Sequence, residues 1–285
     1  MTPAGKLLMV EARRRFASLV AQPAASIELA HAALLIAAEE KPGLDVEHYR
    51  ALLYELGMEA RERIAARDDA AQAVGAFNKY IFEELGFAGN QSDYYDPRNS
   101  LLSDVLDKRT GIPISLSVVY MEIGRRAGLH VEGIGLPGHF IVRVAGGPQG
   151  DSTLVDPFNG RIVDREDCQE RLDTIYGGQA PLTDAHLQPV STREILARLL
   201  RNLKGVYAGA GLHRRALSII ERILLVAPHA VEERRDRSAL LAQLGRYSEA
   251  IVDAQSYLKS ASDPPDAERV AEGLKQMQLQ LARLN

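Results

Sequence analysis

The sequence predicts an α+β core, mainly helical in its first hundred residues and then a helix packed on a short antiparallel sheet, followed by an all-helical array. Three observations carry this reading. Apolar residues recur at helical spacing over residues 5–87. Two β-rich runs, 139–144 and 151–156, flank the turn-forming Gly146-Gly147-Pro148-Gln149-Gly150. From about residue 191 the sequence holds no convincing strand and repeats itself. A length of 285 residues suits about two domains, placed at 1–185 and 186–285.

Within the first block, Leu29, Ala33, Leu34 and Ala37, then Tyr49, Leu52, Leu53 and Leu56, mark helix faces. Breaks at Gln22-Pro23, Lys41-Pro42-Gly43 and Arg67-Asp68-Asp69 divide the block into four helices, and Asn78–Gly86 closes it. Residues 87–98 form a polar, aromatic loop of the kind that often carries specificity. Its Asp96-Pro97 step also suits a simple turn, and Asn99-Ser100 suit the cap of a helix starting near Leu101. A further helix is set by Pro113 at its first position and Gly128 just past its end, with Arg125 and Arg126 in the last turn, where the helix dipole favours cations.

The hairpin sets a histidine against an aspartate. With the turn centred between Gly147 and Pro148, Val144 faces Asp151, Val142 faces Thr153 and His139 faces Asp156. Directly opposed side chains lie about 5 Å apart at Cβ, so His139 can donate Nδ1–H to Asp156, leaving Nε2 as a base. The same pair can also merely satisfy itself at a sheet rim, and a one-residue slip would separate the two faces.

A nucleophile would belong at the start of the helix from Pro113, where backbone N–H groups favour an anion. The strings Asp93-Tyr-Tyr-Asp-Pro-Arg-Asn-Ser-Leu-Leu102, Thr110-Gly-Ile-Pro-Ile-Ser-Leu-Ser117, Leu136-Pro-Gly-His-Phe140 and Val155-Asp-Pro-Phe-Asn-Gly160 together resemble the transglutaminase-like superfamily, in its SirB-type bacterial branch. The resemblance spans about residues 30–265 and implies a cysteine-protease-like core followed by tetratricopeptide-like repeats. It implies a triad with His139 and Asp156, and a cleft beside Tyr94, Tyr95, Asp96 and Asn99, with Pro113, Phe140 and Asn159 as further lining. The chain departs from the superfamily at one position: the Gly-x-Cys spacing from Gly111 lands on Pro113, which offers no nucleophile. Ser115, in the first turn, is the candidate replacement, although a hydroxyl needs strong activation and a first-turn serine commonly bonds locally. The single cysteine, Cys168, stands in a charged helix beyond the hairpin, where an inward-packed thiol is expected.

In the C-terminal part, Gly211 and Ala216 recur as Gly245 and Ala250, an offset of 34 residues, which is the tetratricopeptide period. Arg193–Lys204 reads as a helix joining the repeats to the core, Pro228 ends the first unit, and Asp266–Leu284 supplies a final capping helix.

Composition narrows the function. A net charge of −4 and a pI near 6.0 argue against a nucleic-acid surface. No apolar run approaches the roughly 18 residues of a membrane span, no signal-peptide pattern leads the chain, and one cysteine suits a reducing compartment; a cytoplasmic location is expected. Cys/His metal spacing is absent, and no metal or cofactor is expected. Three functions fit: a non-catalytic or regulatory module binding a protein or peptide, a hydrolase or acyltransferase using Ser115, His139 and Asp156, or a structural array with a vestigial core.

Overall fold

The first helix, α1 (Pro3–Val20), is opened by Pro3 and capped by Thr2, whose Oγ1 accepts from Gly5 N at 3.2 Å. Three more follow: α2 (Leu29–Glu40), α3 (Val46–Ile64) and α4 (Ala70–Asn78). Asp45 and Asp69 cap the last two through His48 N and Gln72 N. These are the four helices expected from the periodicity and its breaks. Helix α2 is buried on nearly every side, from Leu29 through Glu39 with Ala30, Leu34 and Ala37 among its contacts, as its almost uniformly apolar sequence requires. The computed structural model describes residues 2–65, 67, 69–146, 152–260 and 265–284, and these fall into two compact units that divide between Leu196 and Ala197.

Helix α4 continues into a six-residue π-helix, Lys79–Glu84, which turns Tyr80 and Ile81 inward; the Tyr80 hydroxyl donates to Glu59 at 2.9 Å. Two short parallel strands, β1 (Ala88–Gly89) and β2 (Thr110–Gly111), then bracket the aromatic loop, a 3-10 turn at Pro97–Ser100, and α5 (Leu102–Lys108). Asn99 and Ser100 lie inside that turn and do not cap α5, whose N-cap is Leu101. Asp96 takes the capping role one turn earlier, accepting from Arg98 N at 2.9 Å. Helix α6 (Pro113–Ala127) starts and stops where Pro113 and Gly128 place it, Gly128 adopting φ = +97°.

A four-stranded antiparallel sheet follows in the order β3 (Val131–Ile134), β4 (Ile141–Val144), β5 (Thr153–Asp156), β6 (Arg161–Val163). The expected turn centre at Gly147-Pro148 and the Val144–Asp151 pair lie outside the described residues. The register differs from the expected one: Val142 pairs with Val155 and Val144 with Thr153, a displacement of two residues. Because side chains alternate with period two, an even displacement changes partners and keeps every side chain on its face.

Helix α7 (Arg165–Tyr176) packs Cys168 and Leu172 against Ile134, Leu136, Ile141 and Val163. The chain then returns to β3, where Val190 N donates to Gly133 O at 2.9 Å, Pro189 bridges Ile134, and Ile195 sits over Gly133. Those contacts at Pro189, Val190 and Ile195 lie within the first unit.

The second unit begins within α8 (Thr192–Gly209) and continues through α9 (His213–Val226), α10 (Val231–Gln243), α11 (Tyr247–Ser260) and α12 (Ala267–Leu284). The repeat is visible in the turns: Gly211 and Gly245 take φ of +69° and +74°, and Ala216 and Ala250 are fully buried. Lys204 of α8 bonds Glu233 and Asp236 of α10 at 2.8 and 2.9 Å. Among the described residues, no helix is long and apolar enough to cross a membrane.

Helices α3 and α6 cross at Gly57, where an added Cβ would fall on the Cβ of Arg126. Alanine is the better helix former by about 1 kcal/mol, but the clash sits at the root of a side chain and only backbone movement relieves it. Gly57→Ala should therefore lower the urea-unfolding free energy by about 1–3 kcal/mol. In contrast, Gly75→Ala in α4, with nothing near the new methyl, should raise it by about 0.5–1 kcal/mol.

Candidate functional site

His139 stands in the loop before β4, after Gly138 at φ = +65°, with its N–H bonded to Leu136 O at 3.1 Å. Asp156 ends β5. In the observed register Asp156 is the diagonal neighbour of His139, a separation still within reach of a long side chain. His139 Nε2 and Asp156 Oδ2 are 2.8 Å apart. The ring therefore meets the carboxylate with Nε2, not with Nδ1 as a directly opposed pair would; the longer diagonal reach brings the distal nitrogen into contact.

Both side chains are almost fully buried, at 3% and 1% exposure. Asp156 also accepts from Asn159 Nδ2 at 2.7 Å, Phe158 N at 3.0 Å and Asn159 N at 3.3 Å. Burial alone would raise its pKa, but the hydrogen bond and charge of His139 and the Asn159 donors outweigh it and hold the carboxyl below its usual range. Phe158 packs edge-on against His139, and Tyr94 edge-on against Phe158, with ring centroids 6.3 and 6.1 Å apart. Gly89 N donates to Phe158 O at 3.1 Å, so β1 fixes the same turn from below.

Around Ser115 the geometry is local. Its hydroxyl donates to Asn99 O at 2.6 Å and lies 3.1 Å from Ile112 O, while accepting from Ile112 N at 3.1 Å. A buried serine in these bonds fastens the start of α6 to the aromatic loop. Pro113 is buried at the first helical position. Asn99, also buried, donates to Asp93 O and Tyr94 O and accepts from Asn90, so it shapes the loop from within. Tyr95 is mostly exposed, and Asp96 pairs with Arg98.

A cleft of about 380 Å³ opens on His139 and Asp156 between the sheet and α7. Its walls are Leu136, Gly138, Ile141, Arg161, Val163, Asp167, Cys168, Glu170, Arg171, Thr174 and Ile175. Tyr94, Tyr95, Asp96, Asn99, Pro113, Phe140 and Asn159 are not among the walls of this particular cleft. The first five belong to the loop and the start of α6. Phe140, next to His139 in extended chain, points to the opposite side, under Gly133, and its carbonyl receives the Ser117 hydroxyl at 3.4 Å. Asn159 acts on Asp156 directly. Sequence patterns alone do not assign the α7 wall to the site, although Cys168, Arg171, Leu172 and Ile175 share one helical face by their spacing. Cys168 is buried, and burial, with Asp167 and Asp164 nearby, pushes its thiol pKa up.

Residues 47–201 match the model of the transglutaminase-like superfamily. The chain belongs to that superfamily. Residues 203–275 match the tetratricopeptide repeat, in agreement with the helical pairs of the second unit. Among its relatives, a UPF0162 protein of Xylella fastidiosa strain Temecula1 is 41% identical over 239 residues, covering 82% of this chain and 84% of the relative. A UPF0162 protein of Pseudomonas aeruginosa is 34% identical over 261 residues, covering 91% and 93%. Human F-box only protein 21 is 33% identical over 140 residues, which cover 47% of this chain and 21% of that protein.

Because the Asp156 pKa is lowered by folding, its contribution to stability is complete above the ordinary carboxylate value near ~3.9 and is lost as pH falls through the lower folded value. Asp156→Asn should cost about 1–3 kcal/mol at pH 7. In urea titrations across pH, the gap between the two proteins should narrow steadily below about pH 4.

Proposed function

We propose that this is a non-catalytic, SirB-type transglutaminase-like protein of the cytoplasm, acting as a binding or regulatory module for a protein or peptide partner. The observation that carries the reading lies at the start of α6. The Gly-x-Cys spacing from Gly111 places Pro113 where a thiol would stand, and the next hydroxyl in sequence, Ser115, donates a hydrogen bond to Asn99 O at 2.6 Å. A nucleophile must lose its proton to a base during attack; this one is engaged by backbone carbonyls and anchors a helix. Cys168 shares the cleft with His139, but its raised pKa keeps it a thiol. Tetratricopeptide repeats fit a protein partner. Under this reading His139 and Asp156 keep the cleft in shape, and the superfamily geometry serves recognition.

Covalent labelling tests the reading. A fluorophosphonate should leave Ser115 unmodified after an hour under conditions that saturate an ordinary serine hydrolase, and iodoacetamide should modify Cys168 no faster than a buried thiol. Labelling at Ser115 that disappears in both Ser115→Ala and His139→Ala would instead establish the hydrolase or acyltransferase.

A further inference from the structure

The carboxylate of Asp156 is full. It takes one hydrogen bond each from His139 Nε2, Asn159 Nδ2, Phe158 N and Asn159 N, and an ionised carboxyl offers about four lone-pair positions. Arg171, on the cleft face of α7, stands 3.8 Å from Asp156 Oδ2, beyond hydrogen-bonding distance. Its charge is drawn to the buried aspartate while its N–H groups, among the described residues, form no hydrogen bond. The other cation of the cleft differs: Arg161 Nη1 lies 2.8 Å from Asp167 Oδ1 and is neutralised there. Arg171 thus keeps N–H donors with no hydrogen-bond partner among the described residues beside a cavity, while its charge faces Asp156.

The cavity sets the rest of the ligand. Its floor of Leu136, Ile141, Val163 and Cys168 is buried and apolar. At about 380 Å³ it sits at the small end of ligand pockets, roughly 300–1,000 Å³, which suits the end of a chain better than a long segment. Glu170, exposed on the same rim, disfavours a ligand with a second negative charge. We propose that this cleft holds the C-terminal carboxylate of a partner polypeptide whose last residue is apolar, paired bidentately with Arg171 while the last side chain lies on the apolar floor. The proposal rests on the binding reading above and narrows it to one chemical feature.

The test is fluorescence anisotropy with the full chain and a fluorescein-labelled pentapeptide, Gly-Ser-Gly-Gly-Leu. The free acid should bind saturably. Its C-terminal amide should bind at least about tenfold more weakly, and Arg171→Gln should weaken the free acid by about tenfold. Arg165→Gln, which removes a cation on the same helix away from the cleft, should change affinity by less than about twofold. Replacing the terminal Leu with Glu should weaken binding, and Glu170→Gln should relieve part of that loss. Thermal melts of each variant separate lost binding from lost folding; where Arg171→Gln fails to fold, the acid-to-amide ratio on the unaltered chain decides. Equal binding of acid and amide, no saturable binding of the acid, or an unchanged affinity in folded Arg171→Gln would overturn the proposal. So would N-acetyl-leucine binding as tightly as the pentapeptide, which would make a small carboxylic acid the ligand. Any of these results with Ser115 unlabelled leaves the non-catalytic binding reading standing, whereas Ser115 labelling overturns that reading by itself.

Discussion

Asp156 is a carboxylate withdrawn from water, and it remains charged because four donors surround it. A bare ion at that depth would cost many kcal/mol and would instead take up a proton. The donors come from different parts of the chain. Phe158 and Asn159 belong to the turn after β5, and His139 to the loop before β4, so one anion ties two otherwise separate connections. Phe158, fixed by Asp156, in turn carries contacts to His139, Tyr94 and Gly89. The aromatic loop and β1 both meet the Asp156 turn through this one ring and its carbonyl.

Helix α6 meets the same assembly from the other side. Ser115 fastens its first turn to Asn99, and Asn99 organises the loop that places Tyr94. Ser117, two residues on, bonds the carbonyl of Phe140, next to His139. Hydroxyls at the start of such a helix can serve chemistry or architecture, and the partners decide which. Here the partners are backbone carbonyls, which hold a hydroxyl and cannot accept its proton in a reaction. The interface between α6 and the His139 loop is therefore a hydrogen-bonded joint, and a cleft opens on His139 and Asp156 against α7.

Much of this was legible in the sequence, and the reasons differ by element. Pro113 and Gly128 fixed the limits of α6 because each acts through local backbone geometry. The 34-residue recurrence of Gly211 and Ala216 identified the helical pairs because the turn and the close approach need those residues. The hairpin was legible in face but not in register. Period two records which side a residue faces, whereas register depends on the turn, and a two-residue displacement leaves the pattern unaltered. The choice of Nε2 over Nδ1 followed from that displacement. The cleft wall was the hardest part to read: α7 reaches the site through tertiary packing of Cys168 and Leu172, and no local pattern states which surface a charged helix will cover. The π-helix at Lys79–Glu84 is likewise a tertiary outcome, in a segment whose periodicity reads as ordinary helix.

The account turns on the claim that Asp156 is ionised and receives a proton held on Nε2 of His139. Nitrogen-15 NMR of the histidine side chains at pH 7, with His139 assigned by its loss in His139→Gln, measures this directly. The account predicts that His139 Nε2 carries a proton, seen as an upfield nitrogen resonance coupled to its own hydrogen, which shifts on Asp156→Asn. A His139 ring with an unprotonated Nε2 facing Asp156 would require the proton to sit on the carboxyl and would contradict it.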